Sequence, residues 1–188
     1  MNDGKISVRY ARALLNTALD MHCEDEVYQQ MEHLANNYSM AISQFNEALS
    51  NPMNSDDDKV NLLTTAIGQT PHPCTLDFLR FVAKKKRINK VFVIALKYQE
   101  MYRKVKHILL AKVTTATEMD ETTQKKMQDF MAKTFGCQIE MRTYIDPTLI
   151  GGFTIDIEHD RMDASIAGRL ETLRNQLNNR TTEQLNNR

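Results

Sequence analysis

Two different periods run through this chain, and they divide it. As far as about residue 106, apolar side chains return every three or four positions, the spacing of one helix face. Beyond His107 they alternate one in two, the spacing of a half-buried strand. The alternation is clearest after Gly136. Cys137, Ile139, Met141, Thr143 and Ile145 share one face, while Gln138, Glu140, Arg142 and Tyr144 share the other. It resumes after Asp146-Pro147 and Gly151-Gly152, with Phe153, Ile155 and Ile157 set against Thr154, Asp156 and Glu158. A chain that changes period in this way is predicted to be α+β. We expect a six-helix bundle over 1–106, a small β-α-β-β-α domain over 107–178, and a frayed tail over 179–188, where Gln-Leu-Asn-Asn-Arg is used twice.

The expected helices follow from their stripes and their stops. The first runs from Ile6 to Met21 with Tyr10, Ala13, Leu14 and Thr17 on one side, and the second carries Val27, Met31, Leu34, Tyr38 and Ile42. A short third passes through Phe45 and Leu49 and ends at Asn51-Pro52, because a residue before proline disfavours the helical region. Ser55 followed by Asp56, Asp57 and Asp58 opens a fourth: a cap, then acids facing the positive end of the helix dipole. Those aspartates are contiguous rather than alternating, which is not the spacing of a calcium loop. Pro71 and Pro73 precede a fifth helix with Leu76, Leu79, Val82 and Ala83, and the sixth runs from Asn89 to Lys106. In the second domain Leu109, Ala111 and Val113 mark a first strand. Asp120 and Gly136 bracket a helix, and Asp163 is placed to cap a last one bearing Ile166, Leu170, Leu173 and Leu177.

Chemistry-bearing motifs are scarce. Basic and acidic residues balance at 24 each, which gives no global field of the kind that draws a chain to nucleic acid. Lys84, Lys85, Lys86 and Arg87, with Lys90 nearby, form the one dense basic run, read as a solvated helix end rather than a phosphate patch. Cys23, Cys74 and Cys137 are odd in number and widely spaced, so neither a disulfide framework nor a zinc site is expected. The five histidines show no ligand-like pairing. Gly151-Gly152 lacks the lysine and the following helix of a phosphate loop, and reads instead as a turn needing positive φ or close backbone approach. We therefore expect no catalytic residue, no cofactor and no metal. No run approaches the length needed to span a bilayer, and the amino terminus has no apolar leader core. The expectation is a cytoplasmic-side protein without direct membrane insertion.

Three stretches carry a resemblance. The firmest is I-x-M-x-x-x-I-D-P-x-L-I-G-G-F-x-I from Ile139, followed by D-A-S-I-x-G-R-L-x-x-L from Asp163. The second is V-R-Y-A-R-A-L-L-N-T-A from Val8 to Ala18, and the third is F-L-R-F-V-A-K-K-K-R-I from Phe78 to Ile88. Together they resemble the delta subunit of F-type ATP synthases, whose mitochondrial counterpart is the oligomycin-sensitivity-conferring protein. In the third stretch the family usually has Asn-Gly-Arg where this chain has Lys85-Lys86-Arg87.

The resemblance implies a non-enzymatic peripheral-stalk (stator) subunit of a proton-translocating ATP synthase, ATP synthesis and ion transport being the work of the whole complex. It implies that the helical domain offers a groove between its first and fifth helices to the N-terminal helix of an alpha subunit, with Tyr10, Ala13, Leu14, Leu79 and Val82 as the contact residues. The second domain would meet the C-terminal end of the b-subunit stalk, with Asp146, Pro147, Gly151 and Gly152 as a structural turn. The missing transit peptide points to the bacterial type, on the cytoplasmic face of the inner membrane. The rival expectation is a helical adaptor or nucleic-acid-binding regulator using Lys84 to Lys90.

Overall fold

Ser55 shows how local chemistry sets the elements of this chain. Its Oγ accepts from the Asp58 amide at 3.1 Å while its own amide donates to Asp58 Oδ2 at 3.2 Å. This reciprocal pair satisfies two amide groups that a helix start otherwise leaves bare. The computed structural model describes residues 3–157 and 160–174, and the chain divides into two compact units, Met1–Lys106 and His107–Arg188.

The first unit contains α1 (Asp3–Asp20), α2 (Glu24–Met40), α3 (Ile42–Ser50), α4 (Asp56–Ile67), α5 (Pro73–Lys84) and α6 (Val91–Lys106). α6 packs on both α1 and α2, and α4 packs on α2 and α5. Leu14, Val27, Met31, Leu34, Leu63, Leu79, Val82 and Ile94 fill the space between them, each no more than 2% exposed. Several expected boundaries move, beginning with α1, which starts at Asp3 rather than Ile6 and ends at Asp20 rather than Met21. Ile42 begins α3 instead of ending α2, because Ala41 leaves the helical region at φ −133°. Pro73 is the first residue of α5, where its missing N–H is harmless, and His72 Nδ1 accepts from the Cys74 amide as the cap. A 3₁₀ turn, Ile88–Lys90, precedes α6, which starts at Val91 rather than Asn89.

The second unit is built from β1 (Ile108–Thr115), α7 (Glu121–Phe135), β2 (Gln138–Ile145), β3 (Phe153–Ile157), β4 (Asp160–Asp163) and a final helix, α8, over 166–174. The sheet order is β2-β1-β3-β4. β1 and β2 are parallel, joined by the α7 crossover, and the pairs β1–β3 and β3–β4 are antiparallel. Ala111, Val113, Met131, Ile139, Ile155 and Ile157 form its core. Asp120 and Gly136 bound α7 as expected, the first by accepting from the Thr123 amide at 3.0 Å, the second at φ +66°.

β4 was not among the expected strands. Its four residues are exposed and include a single apolar side chain, Met162, so no alternation marks an edge strand held by backbone bonds. It also displaces the expected cap. Asp163 ends β4, and α8 is capped by Ser165, whose Oγ accepts from the Gly168 amide at 3.0 Å. Ile145, Ile166, Leu170 and Leu173, expected on core-facing stripes, are 47–59% exposed. Glu158, Leu177 and the tail 179–188 lie outside the described residues.

Candidate docking groove

α1 and α5 meet at two aromatic rings. Tyr10 and Phe81 lie 6.0 Å apart, centroid to centroid, and tilt by 47°. From that contact an apolar groove of about 300 Å³ runs to the Met21–Pro73 end. Ala13, Leu14, Thr17 and Met21 form one wall, and Pro73, Cys74, Asp77, Phe78 and Phe81 the other. The walls arise from spacing alone. Residues three or four apart on α1 share a face, as do Cys74, Phe78 and Phe81 on α5. Ala13 puts only a methyl group at the surface, so another helix can approach the α1 backbone there. Met21 at 52% exposure and Phe81 at 49% offer the large apolar area.

Not all the expected contact residues reach this surface. Tyr10 is half-buried, Ala13 is exposed, and Leu14 lines the groove although it is only 2% exposed. Leu79 and Val82 are 0% exposed and point into the helical core, so no partner can touch them. The burial of each is already complete, and its contribution of about 1.5–3 kcal/mol belongs to the unit's own stability. Phe81, one position before Val82, takes their place on the outer face, while Phe78, 9% exposed, lines the groove from below. The sequence signal was available: Phe81 lies three and seven residues beyond Phe78 and Cys74, on a stripe of its own.

The groove is apolar but not featureless. Cys74 stands at its Pro73 end, where burial pushes the thiol up to about 11, helped by the neighbouring Cys23 thiol. A thiol that reluctant to ionise is a packing group at neutral pH, not a nucleophile. The basic run beyond α5 does not assemble into a phosphate cradle. Lys86 Nζ is paired with Asp56 at 2.9 Å, and the Lys85 ammonium sits 5.7 Å from the Phe81 ring centre. Among the described residues no group of three or more His, Cys, Asp or Glu side chains is placed to hold a metal ion. Nor, among them, is any helix long and apolar enough to cross a membrane.

The second unit has its own open apolar surface. α7 packs against β2, while beside the β3–β4 hairpin Phe130, Phe135, Ile155, Ile157 and Met162 line a cleft of about 200 Å³. The Asp146–Gly152 turn ends beside it in the chain. Asp146 Oδ1 accepts from the Thr148 amide at 3.0 Å, and the Asp146 amide donates to the Thr115 carbonyl at 2.8 Å. Pro147 opens a 3₁₀ turn, Pro147–Leu149. Gly152 follows at φ +77°, with the Ala164 carbonyl only 2.3 Å from where a Cβ would stand. At Gly151 the obstacle is the tip of the Ile166 side chain at 2.7 Å. Sequence reading missed Gly168, whose lack of a Cβ lets the Asp163 carboxylate pack against α8; a Cβ there would lie 2.6 Å from Asp163 Oδ2. That contact accounts for the spacing of aspartate and glycine in D-A-S-I-x-G.

Each unit thus carries an open apolar surface of its own. Comparison with known proteins gives them a context. The family model of the ATP synthase delta (OSCP) subunit matches residues 6–177. An ATP synthase subunit delta from Parabacteroides distasonis is 39% identical over 174 residues, 93% of this chain and 96% of that one. The corresponding subunit from Bacteroides fragilis is 34% identical over 178 residues, 94% and 95% of the two chains. A chain in the mitochondrial ATP synthase hexamer of Toxoplasma gondii shares the fold, with a TM-score of 0.66 at 22% identity over 91% of this chain and 96% of that one. The chain belongs to the ATP synthase delta (OSCP) subunit family.

Proposed function

We propose that this chain is the peripheral-stalk subunit of an F-type, proton-translocating ATP synthase, tying the catalytic head to the b subunits and resisting the torque of the rotor. In this reading the α1–α5 groove receives the N-terminal helix of an alpha subunit. The cleft beside β3–β4 and the exposed stripe of α8 receive the C-terminal end of the b stalk. The chain itself performs no catalytic step and holds no cofactor. It works at the cytoplasmic face of a bacterial inner membrane, as a peripheral protein.

The observation that carries the reading is the groove, in a chain of this family. A docking helix needs an apolar trough, a small residue where backbones approach, and large anchors beside it. Ala13, Met21, Phe78 and Phe81 supply all three. Ala13→Glu tests it. Because Ala13 is exposed, a carboxylate there leaves the fold intact but is buried, unpaired, when a helix docks. Calorimetry with a peptide of the alpha-subunit N-terminus is expected to show binding weakened by roughly 2–4 kcal/mol. Unchanged affinity in a folded mutant removes the groove from the alpha interface.

A further inference from the structure

We infer that Arg9 and Lys85 form an acid-recognising subsite at the Tyr10–Phe81 end of the groove, so that its occupant is an amphipathic helix carrying a carboxylate just beyond its apolar anchors. The inference rests on the groove being a helix-docking site, as proposed above, and adds which helix it selects.

Three observations lead to it. Each cation stands on one ring of the pair that closes this end: the Arg9 guanidinium carbon is 5.8 Å from the Tyr10 ring centre, and the Lys85 ammonium 5.7 Å from that of Phe81. Both side chains are exposed, and among the described residues neither has an ion-pair partner. The charge is also asymmetric along the groove. Asp77 lies midway along the α5 wall, 3.9 Å from Arg80, and Glu26 stands 3.9 Å from His72 beyond the Pro73 end.

A cation resting on an aromatic face is already partly desolvated and held in place, so an arriving carboxylate meets a preorganised donor. Arginine can take both carboxylate oxygens in its planar fork, and the lysine adds a second positive charge. A docked helix would bury its apolar face in the groove and present its acid to this pair. Reversed end for end, it would leave that acid at the Met21–Pro73 end, away from both cations and toward Glu26. The pair thus selects both a partner class and a direction. A single-stranded nucleic acid, the other polyanion that seeks cations beside aromatic rings, is disfavoured by the apolar floor and by the Asp77 carboxylate.

The test uses the full chain and a fluorescent peptide of the alpha-subunit N-terminus from the same organism, measured by anisotropy at low and high ionic strength. The wild type is expected to bind more tightly at low salt. The Arg9→Glu, Lys85→Glu double variant should bind about tenfold more weakly there and lose the salt dependence. A peptide with its acidic residues changed to lysine should bind the double variant better than the wild type. Equal affinity and equal salt dependence for wild type and double variant, with Ala13→Glu still weakening binding, overturns the subsite and leaves the groove standing. If Ala13→Glu also has no effect, or the chain captures single-stranded RNA and not the peptide, the groove reading falls and the subsite with it.

Discussion

At residue scale, close contacts separate neighbours that look alike in the sequence. Gly151 and Gly152 are adjacent in one motif, yet only Gly152 has a positive φ and a backbone carbonyl in the place of its Cβ. Gly152→Ala is expected to destabilise the second unit by roughly 2–4 kcal/mol, since neither the backbone dihedral nor the Ala164 carbonyl can yield cheaply. Gly151→Ala should cost about 1 kcal/mol or less, because the Ile166 side chain can change rotamer. Thermal unfolding of the two variants decides, and equal losses would refute the distinction. Lys86 poses the opposite case. It holds φ +54°, a left-handed conformation that glycine adopts without strain. Its ion pair with Asp56 is largely exposed, 78% and 39%, and so weak. Relief of the left-handed backbone, about 1 kcal/mol, should outweigh that pair, so Lys86→Gly is expected to raise the melting temperature, more clearly at high salt.

At the scale of elements, the end of α6 is tied to the start of α2 by charge. Lys106 Nζ reaches Glu24 Oε1 at 2.8 Å and Asp25 Oδ1 at 2.9 Å, while the Tyr102 hydroxyl donates to Asp25 Oδ1 at 2.7 Å. The hydrogen bond from Lys106 is the main cause holding both carboxyls below their ordinary range. Within α6, Lys97 and Lys104 together pull Glu100 down to about 2. Carboxyls depressed in the folded state bind fewer protons than in the unfolded one. Their stabilisation is therefore full above the ordinary glutamate value of 4.5 and is lost as pH falls toward about 2. On the alkaline side, burial and the Asp25 bond raise Tyr102 to about 12, so its share is lost as pH climbs from 10 toward that value. Melting of the helical unit should hold a plateau between these limbs. Lys106→Met should melt lower at neutral pH, because Glu24 Oε2 is already buried without a partner. Its decline on acidification should be shallower, and an acid limb as steep as that of the wild type would exclude the cluster as its source.

At the scale of the whole molecule, the proposed role is mechanical. Membranes lacking the chain are expected to keep ATP hydrolysis by the head and to lose its coupling to the proton gradient, with coupling restored when the chain is added back. Neither ATP with Mg²⁺ nor a chelator should shift the melting temperature of the purified chain, since anything bound by the folded state alone would do so. A shift with either agent would contradict the absence of a cofactor.

Most of the secondary structure was legible because helices and strands are local. The Ser55 box, the Asp120 cap and the Gly136 stop need only a few neighbouring residues, and one-sided burial writes its own period into the chain. β4 was not legible, because an edge strand is held by backbone bonds to β3 and leaves its four side chains exposed. The groove was only partly legible. A stripe shows which residues share a helix face, but two apolar faces on α5 carry the same period, and only packing decided that Leu79 and Val82 turn inward while Phe78 and Phe81 line the opening. In the same way the last helix announced an apolar stripe, yet only the fold revealed that Ile166, Leu170 and Leu173 remain open. Periodicity records that a side chain seeks a neighbour, and only the tertiary structure determines whether this chain supplies it.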